Sequence, residues 1–250
     1  MSGLRIDYSG LQGLLAGDDE ARGARRKLRR RIRRRYVASV RGVAWAFVRR
    51  AAFLACLLVL PFAVLIRGGT FAYHRMAIGT WPALLLSVLA TVLVLGLYAW
   101  WVGRRLGLRG NLRTLTIRVA AGLAFVYVGY ALVYVASVNV KSDDLRGQYA
   151  SVHPLLRVAS SALILTDRSA VITDVGRTPE DYRLMGLPEV EASLHFEQST
   201  GYVHALDFRT IGRPEWRNRL AELGFWALGF HSLRHVGTAD HLHVSLRLPE

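Results

Sequence analysis

Apolar and polar positions change their rhythm near residue 139 of this 250-residue chain. Before it, apolar residues come in long unbroken runs; after it, they recur at helical or alternating spacing. The runs are 51–66 (AAFLACLLVLPFAVLI), 80–103 (TWPALLLSVLATVLVLGLYAWWVG) and 119–138 (VAAGLAFVYVGYALVYVASV). A helix crossing a hydrocarbon core of about 30 Å needs about 20 apolar residues. The second and third runs suffice alone. The first becomes long enough when GVAWAFV (42–48) joins it past Arg49 and Arg50, which must then snorkel, and Pro61 is expected to kink it. Trp81, Trp100 and Trp101 stand at the ends of the second run, where an interfacial aromatic belt places them. The pattern predicts three spanning helices.

Beyond residue 139 the pattern predicts shorter elements. SVHPLLRVASSALIL (151–165) reads as an amphipathic helix, and AVITDV (170–175) as a short strand. GRTPEDYRLMGLP (176–188) reads as a turn and a short helix opened by Pro179-Glu180-Asp181. SLHF (193–196) and YVHALDF (202–208) read as strands joined by EQSTG. RPEWRNRLAELGFWALGF (213–230) reads as a helix and HLHVSLRL (241–248) as a terminal strand. This is an α+β domain of about 110 residues, a small antiparallel sheet with helices, following three transmembrane α-helices.

Charge divides the chain at the same place. Residues 1–138 carry 21 Lys+Arg against 4 Asp+Glu, and residues 139–250 carry 12 against 14. With 52% hydrophobic residues and a net charge of +15, a simple soluble enzyme is excluded. Three parts follow: a basic segment 1–42, a membrane anchor 43–138 and a C-terminal domain 139–250. Arginine-rich loops stay cytoplasmic. Fourteen Lys+Arg in 1–50 and five in 104–118, against two in 67–79, place the N-terminus inside and the C-terminal domain outside the cell membrane. The cluster ARGARRKLRRRIRRRY (21–36) reads as a juxtamembrane segment drawn to anionic lipid. Nucleic-acid binding is disfavoured, because no aromatic interleaving surrounds it. A scaffold working through this tail is the alternative in which the C-terminal domain is secondary. The uninterrupted apolar stretches contain no ionisable side chain of the kind that marks a transport route. Cys56 is the single cysteine, so no intramolecular disulfide or zinc ribbon is available. An Arg to Lys ratio of 31 to 2 points to a GC-rich bacterial genome.

Seven of the eight histidines fall in the C-terminal part, at 153, 195, 204, 231, 235, 241 and 243. His241 and His243, two apart, share one face of a strand. His204 and Asp207, three apart, face opposite sides. His195 and Asp207 flank a turn that can bring both to one face. His195, Asp207 and His243 would make a two-imidazole, one-carboxylate zinc site with an open position for water, and Asp240 beside it would accept the proton.

At these residues the chain resembles the zinc D-Ala-D-Ala carboxypeptidases and L-Ala-D-Glu endopeptidases that cut peptidoglycan stem peptides, whose fold the hedgehog signalling domain shares. The resemblance covers about residues 150–248. ITDVGRTPEDY (172–182) is similar to the family's Arg segment, which implies that Arg177 holds a substrate carboxylate. Ser193-Leu194-His195, Gly201 and Ala205-Leu206-Asp207 are similar to Ser-x-His-x-x-Gly-x-Ala-x-Asp, implying that His195 and Asp207 are zinc ligands. Asp240-His241-Leu242-His243 is similar to the terminal Glu/Asp-x-x-His, implying Asp240 as general base and His243 as third ligand.

The spacing departs from the family's, with twelve residues from His195 to Asp207 instead of seven. Either a longer hairpin still closes on the metal, or another histidine such as His204 or His241 replaces a ligand, or the site is empty. A catalytically inactive domain of the same fold, binding wall peptides or a partner protein, is the corresponding alternative. Each residue also has a plain structural role open to it. Asp207 can pair with Arg209, Arg177 with Glu180 or Asp181, and Asp240 can cap a turn.

Overall fold

The computed structural model describes residues 9–107, 110–184, 186, 192–237 and 240–249, with side chains from residue 41 onward except Arg113. Residues 1–57 form one compact unit and 58–250 the other. The arginine cluster 21–36 lies on the backbone of α1 (Ser9–Arg75), and its side chains, with the lipid expectation placed on them, fall outside the described residues.

Three helices are long and apolar enough to cross a membrane: Arg41–Arg75 within α1, α2 (Thr80–Arg105) and α3 (Gly110–Val133). Their bounds differ from the apolar runs. Helix α1 continues through Pro61 and across 67–75, a stretch that the arginine pattern alone reads as loop. Helix α3 starts nine residues before its apolar run, because nothing in NLRTLTIR breaks a helix. A stripe of Ala83, Leu84, Ser87, Val88 and Thr91 buries one side of α2. A Cβ on Gly69 would come within 2.5 Å of Leu155 Cδ2 and 3.2 Å of Ser87 Oγ, so any larger residue there would have to displace the buried Leu155 side chain.

A polar connection of turns and α4 (Asp143–Gln148), capped by Ser142, leads to α5 (Pro154–Thr166). His153 caps α5 by accepting the Leu155 N–H, and Pro154 opens its first turn. Pro154 to Ser161 are all buried while Leu165 and Thr166 are exposed, so the first two turns of the expected amphipathic helix are enclosed on every side. The reason is a second packing surface, since α5 lies against both α2 and α3. Arg157, 6% exposed, donates Nη1 to the Leu132 carbonyl at the end of α3. The Tyr149 hydroxyl sits between the Ala131 and Arg157 carbonyls at 3.3 and 3.1 Å. Two carbonyls left open by the end of α3 thus find side-chain partners from the C-terminal part.

The C-terminal sheet has the order β1-β2-β4-β3, all antiparallel, from β1 (Ile172–Asp174), β2 (Ala205–Arg209), β3 (His231–His235) and β4 (His241–Ser245). Helices α6 (Pro179–Leu184) and α7 (Glu215–Ala227) complete it. Leu206, Phe208, Leu242 and Val244 are fully buried on the face covered by α7, where Phe208 and Phe225 stack at 5.5 Å. The opposite face carries Asp207, His241 and His243. SLHF (193–196) forms turns rather than a strand, because its backbone is spent on contacts to both neighbours: Arg177 N–H bonds the His195 carbonyl and His204 N–H bonds the Leu194 carbonyl. β3 was not foreseen, since its single apolar residue, Leu233, is exposed.

His204, an alternative ligand, lies in a separate buried cluster. Its ring packs 4.7 Å from His153 and 5.9 Å from Tyr73. It donates Nδ1–H to the Leu246 carbonyl and accepts from Thr200 at Nε2, and His153 is likewise saturated by Leu155 N–H and Thr80 Oγ1. Burial is the leading reason that both are held below the usual histidine range, His153 at about 2.

Two outcomes follow for the full chain in detergent. Arg157→Met leaves a buried α3 carbonyl without a donor and should lower unfolding stability by about 1–3 kcal/mol in a thermal melt. Because the folded pKa values of His153 and His204 lie below about 6.5, the unfolded chain takes up their protons first. Stability is therefore full above pH 6.5 and falls on acidification, by up to about 1.4 kcal/mol per pH unit per imidazole. His204→Asn, which keeps the donor to Leu246, should flatten that slope between pH 6.5 and 5.

Candidate metal centre

The face opposite α7 gathers its chemistry through strand register. Asp207 on β2 pairs directly with His243 on β4, and direct partners share a face. Asp174 is brought opposite Asp207 by an irregularity in the β1–β2 ladder. The chain from His195 to Asp207 turns at 197–203, with Gln198 N–H bonded to the Tyr202 carbonyl and Val203 N–H to Ser151. This excursion absorbs the additional residues and returns His195 to the start of the sheet.

His195, Asp207 and His243 each present a ligand atom, and the three atoms lie within 4.8 Å of one another. His195 Nε2 is 3.2 Å from His243 Nδ1 and 3.4 Å from Asp207 Oδ1, and His243 Nδ1 is 2.9 Å from Asp207 Oδ1. Tetrahedral zinc with bonds of about 2.0–2.2 Å separates its ligands by about 3.3–3.6 Å, so the donors need shift by only a few tenths of an ångström. His195 Nδ1 donates to the Val175 carbonyl, which turns Nε2 toward the other two groups, where its lone pair would serve a metal. That is the backbone support a histidine ligand ordinarily has. The three residues can hold a metal ion, and their mixed imidazole–carboxylate set suits zinc.

Asp207 is 2% exposed. Burial alone would raise its carboxyl, yet hydrogen bonding with His195 and His243 and the charge of His195 and His241 outweigh it, and the group is held well below the usual carboxylate range. Arg177 spans two carboxylates, with Nε 2.7 Å from Asp174 Oδ2 and Nη2 2.8 Å from Asp207 Oδ2, while its guanidinium lies over the Tyr182 ring. Arg177 therefore stands in the site, paired with neither Glu180 nor Asp181. Asp207 likewise takes Arg177 as partner in place of Arg209. Ser193 is directed away and bonds the Tyr182 hydroxyl at 2.6 Å.

Asp240 does not join the trio. Both its oxygens accept from Arg234, at 3.1 and 3.0 Å, and Oδ1 accepts from Thr210 as well. Arg234 opposes Leu242 on the face covered by α7 and also pairs with Glu215. The cause is geometric: Asp240 and His243 are three positions apart, and an odd interval on extended chain turns side chains to opposite faces. The Arg234 bonds, ahead of Thr210, hold the Asp240 carboxyl below its usual range.

His241, an alternative ligand, has Nε2 3.6 Å from Asp207 Oδ2 with a quarter of its side chain exposed. His235, which sequence reasoning passed over with β3, stacks on it at 4.7 Å. Burial first, then the neighbouring His241 and His243, hold His235 below the usual histidine range. Asp174 was also missed; its signal was a carboxylate three residues before Arg177 at a strand end.

Comparison of the chain with protein-family models, curated proteins and solved structures returns no match. Zinc titration of the full chain in detergent should give about one equivalent bound. His243→Ala should weaken it roughly a hundredfold or more, since even an outer partner of a ligand is worth 10–100-fold, whereas His204→Asn should leave it unchanged.

Proposed function

We propose that the chain is a membrane-anchored, zinc-dependent peptidase-like hydrolase acting on peptidoglycan stem peptides, as its resemblance to the D-Ala-D-Ala carboxypeptidases and L-Ala-D-Glu endopeptidases implies. The observation that carries this reading is the meeting of His195, Asp207 and His243, in that chain order, despite the stretched interval. The arginine distribution supports an N-terminus in the cytoplasm of a bacterium and a C-terminal domain facing the cell wall.

Zinc at this site would supply a Lewis acid and a bound water of lowered pKa. The chain's own residues provide the rest. Val175 fixes the His195 tautomer, and Arg177 holds Asp207 in orientation through a bond to its outer oxygen. A substrate carboxylate would approach Arg177 from its partly exposed side, in competition with Asp174. His241, at the open edge beside Asp207, is better placed than Asp240 to take a proton from water and pass it to a leaving amine.

One observation favours a second reading, a non-catalytic domain that binds metal and wall peptide. Both polar residues assigned to the chemistry by motif spacing have partners within the fold: Arg177 has two carboxylates, and Asp240 has Arg234 and Thr210.

Release of D-alanine from a stem pentapeptide ending in D-Ala-D-Ala, by the full chain in detergent, separates the two readings. Hydrolysis with zinc and none after chelation is expected. His241→Gln should lower kcat by about a hundredfold with zinc retained, the lower range for loss of a general base, and Asp240→Asn should lower it by less than about tenfold. Peptide binding without release in any zinc condition would leave the binding domain as the function.

A further inference from the structure

Helix α7 is apolar on two sides. Asn218, Ala221 and Phe225 are buried on the side that covers the sheet, where Phe225 stacks on Phe208. Trp216, Leu220 and Leu223 follow at intervals of four and three, so they form a stripe along the other side, with Trp226 beside its end. Each of these four side chains is more than half exposed, and among the described residues none covers the stripe. A surface helix ordinarily turns polar residues to water on that side.

The charged residues of α7 flank the stripe and are answered within the protein. Arg219 pairs with Glu215 and Glu222, while Arg217 pairs with Asp167 and lies over the Trp216 ring at 5.2 Å. With its flanks neutralised in this way, the attraction that this side of α7 offers is its apolar area. That area is continuous with surface belonging to a candidate span. Trp226 and Phe71 line the same pocket at the end of α1, and Phe71, half-exposed, lies within Arg41–Arg75. Exposed apolar positions continue beyond it in Met76 and in Trp81, at the entry of α2. Phe71, Met76, Trp81 and α7 all belong to the unit 58–250.

We propose that the exposed side of α7 lies on the bilayer as an interfacial helix, with Trp216, Leu220, Leu223 and Trp226 immersed where headgroups meet acyl chains. Indole suits that boundary because it has an apolar body and a polar N–H, and here two indoles bracket two leucines. The partner is the lipid surface beside the spans. Anchoring by the spans makes the contact intramolecular, so a modest apolar area suffices to hold it. Asp207 and His243 stand on the sheet face opposite α7, so a bilayer under α7 turns the metal face away from the membrane. The inference needs the spans to cross a bilayer and does not need hydrolase activity.

Spin labelling of the full chain in lipid nanodiscs tests the contact. On a Cys56→Ala background, Leu220→Cys and Leu223→Cys place labels at exposed positions where folding is not at stake. In phosphatidylcholine discs holding one chain each, both labels should be more accessible to oxygen, which concentrates among acyl chains, than to a water-soluble nickel chelate. A label at Leu184→Cys, exposed on α6, should show the reverse order. Leu220→Glu should abolish the oxygen preference at Leu223→Cys, since a carboxylate is unfavourable among acyl chains. High salt should leave the preference unchanged, because the flanking charges are already paired. Chelate access at Leu220→Cys and Leu223→Cys equal to that at Leu184→Cys would overturn the proposal. So would an oxygen preference that appears only in discs of anionic lipid, or only in discs holding two chains, which would assign the stripe to a second copy.

Discussion

An ionised carboxylate on a central strand, almost wholly out of water, is the constraint around which the metal face is arranged. Asp207 lies on β2, paired on both sides by β1 and β4, so the ladder uses the backbone donors nearby and compensation has to come from side chains. Left uncompensated, such a group would be unfavourable by several kcal/mol. Arg177 answers it from the β1–α6 connection, His195 from the turn that precedes β2, and His243 from β4. Each partner fixes its own segment, and three separate stretches of chain are pinned to one oxygen pair. The opposite face, by contrast, is organised by apolar burial under α7.

Helix α5 plays the corresponding part for the chain as a whole. Its upstream turn is enclosed by the sheet domain's own residues, and its flank lies against α2 and α3. One hydrophobic cluster runs from Leu65, Ala83 and Ala131 through Leu155 and Leu156 to Phe208 and Val244. Burial of this kind, at about 25 cal/mol per Å² of apolar surface, works equally on both sides of the helix. Helices α2 and α3 and the part of α1 from Leu58 onward are therefore structural members of one unit with the sheet, joined to it by a shared core rather than by a tether.

What was legible in the sequence follows from which interactions are local. The three apolar runs, the helix at α7 and the alternation of β4 are set by residues within a turn or two of each other, and each was read close to its place. The convergence of His195, Asp207 and His243 was legible because strand alternation and a motif order carry it. The same alternation, applied to Asp240 and His243, already contained the news that their side chains part, yet the motif's spacing suggested otherwise. The Arg177–Asp174 pair depends on a ladder irregularity that no local pattern marks. Enclosure of the first turns of α5 depends on helices 30 to 70 residues away, and a one-sided pattern cannot be told from a two-sided one when Ser160 satisfies its polarity within the helix.

A rigid mount has a consequence for chemistry near a bilayer. His231 and His235 lie on one strand and, four residues apart, on one face of it, separated by about 13 Å. The first lines the pocket at the end of α1, and the second stacks on His241 at the metal face. A single strand thus spans the distance from the pocket at the end of α1 to the metal centre. Because α5 and the end of α3 share buried hydrogen bonds, this distance cannot be altered by swinging the domain without breaking Arg157 and Tyr149 from their carbonyls. With α1 to α3 able to cross a membrane, a metal site so mounted would meet only groups presented at one height above it. Reach, as much as the donor set, then limits which molecules the three ligands can act upon.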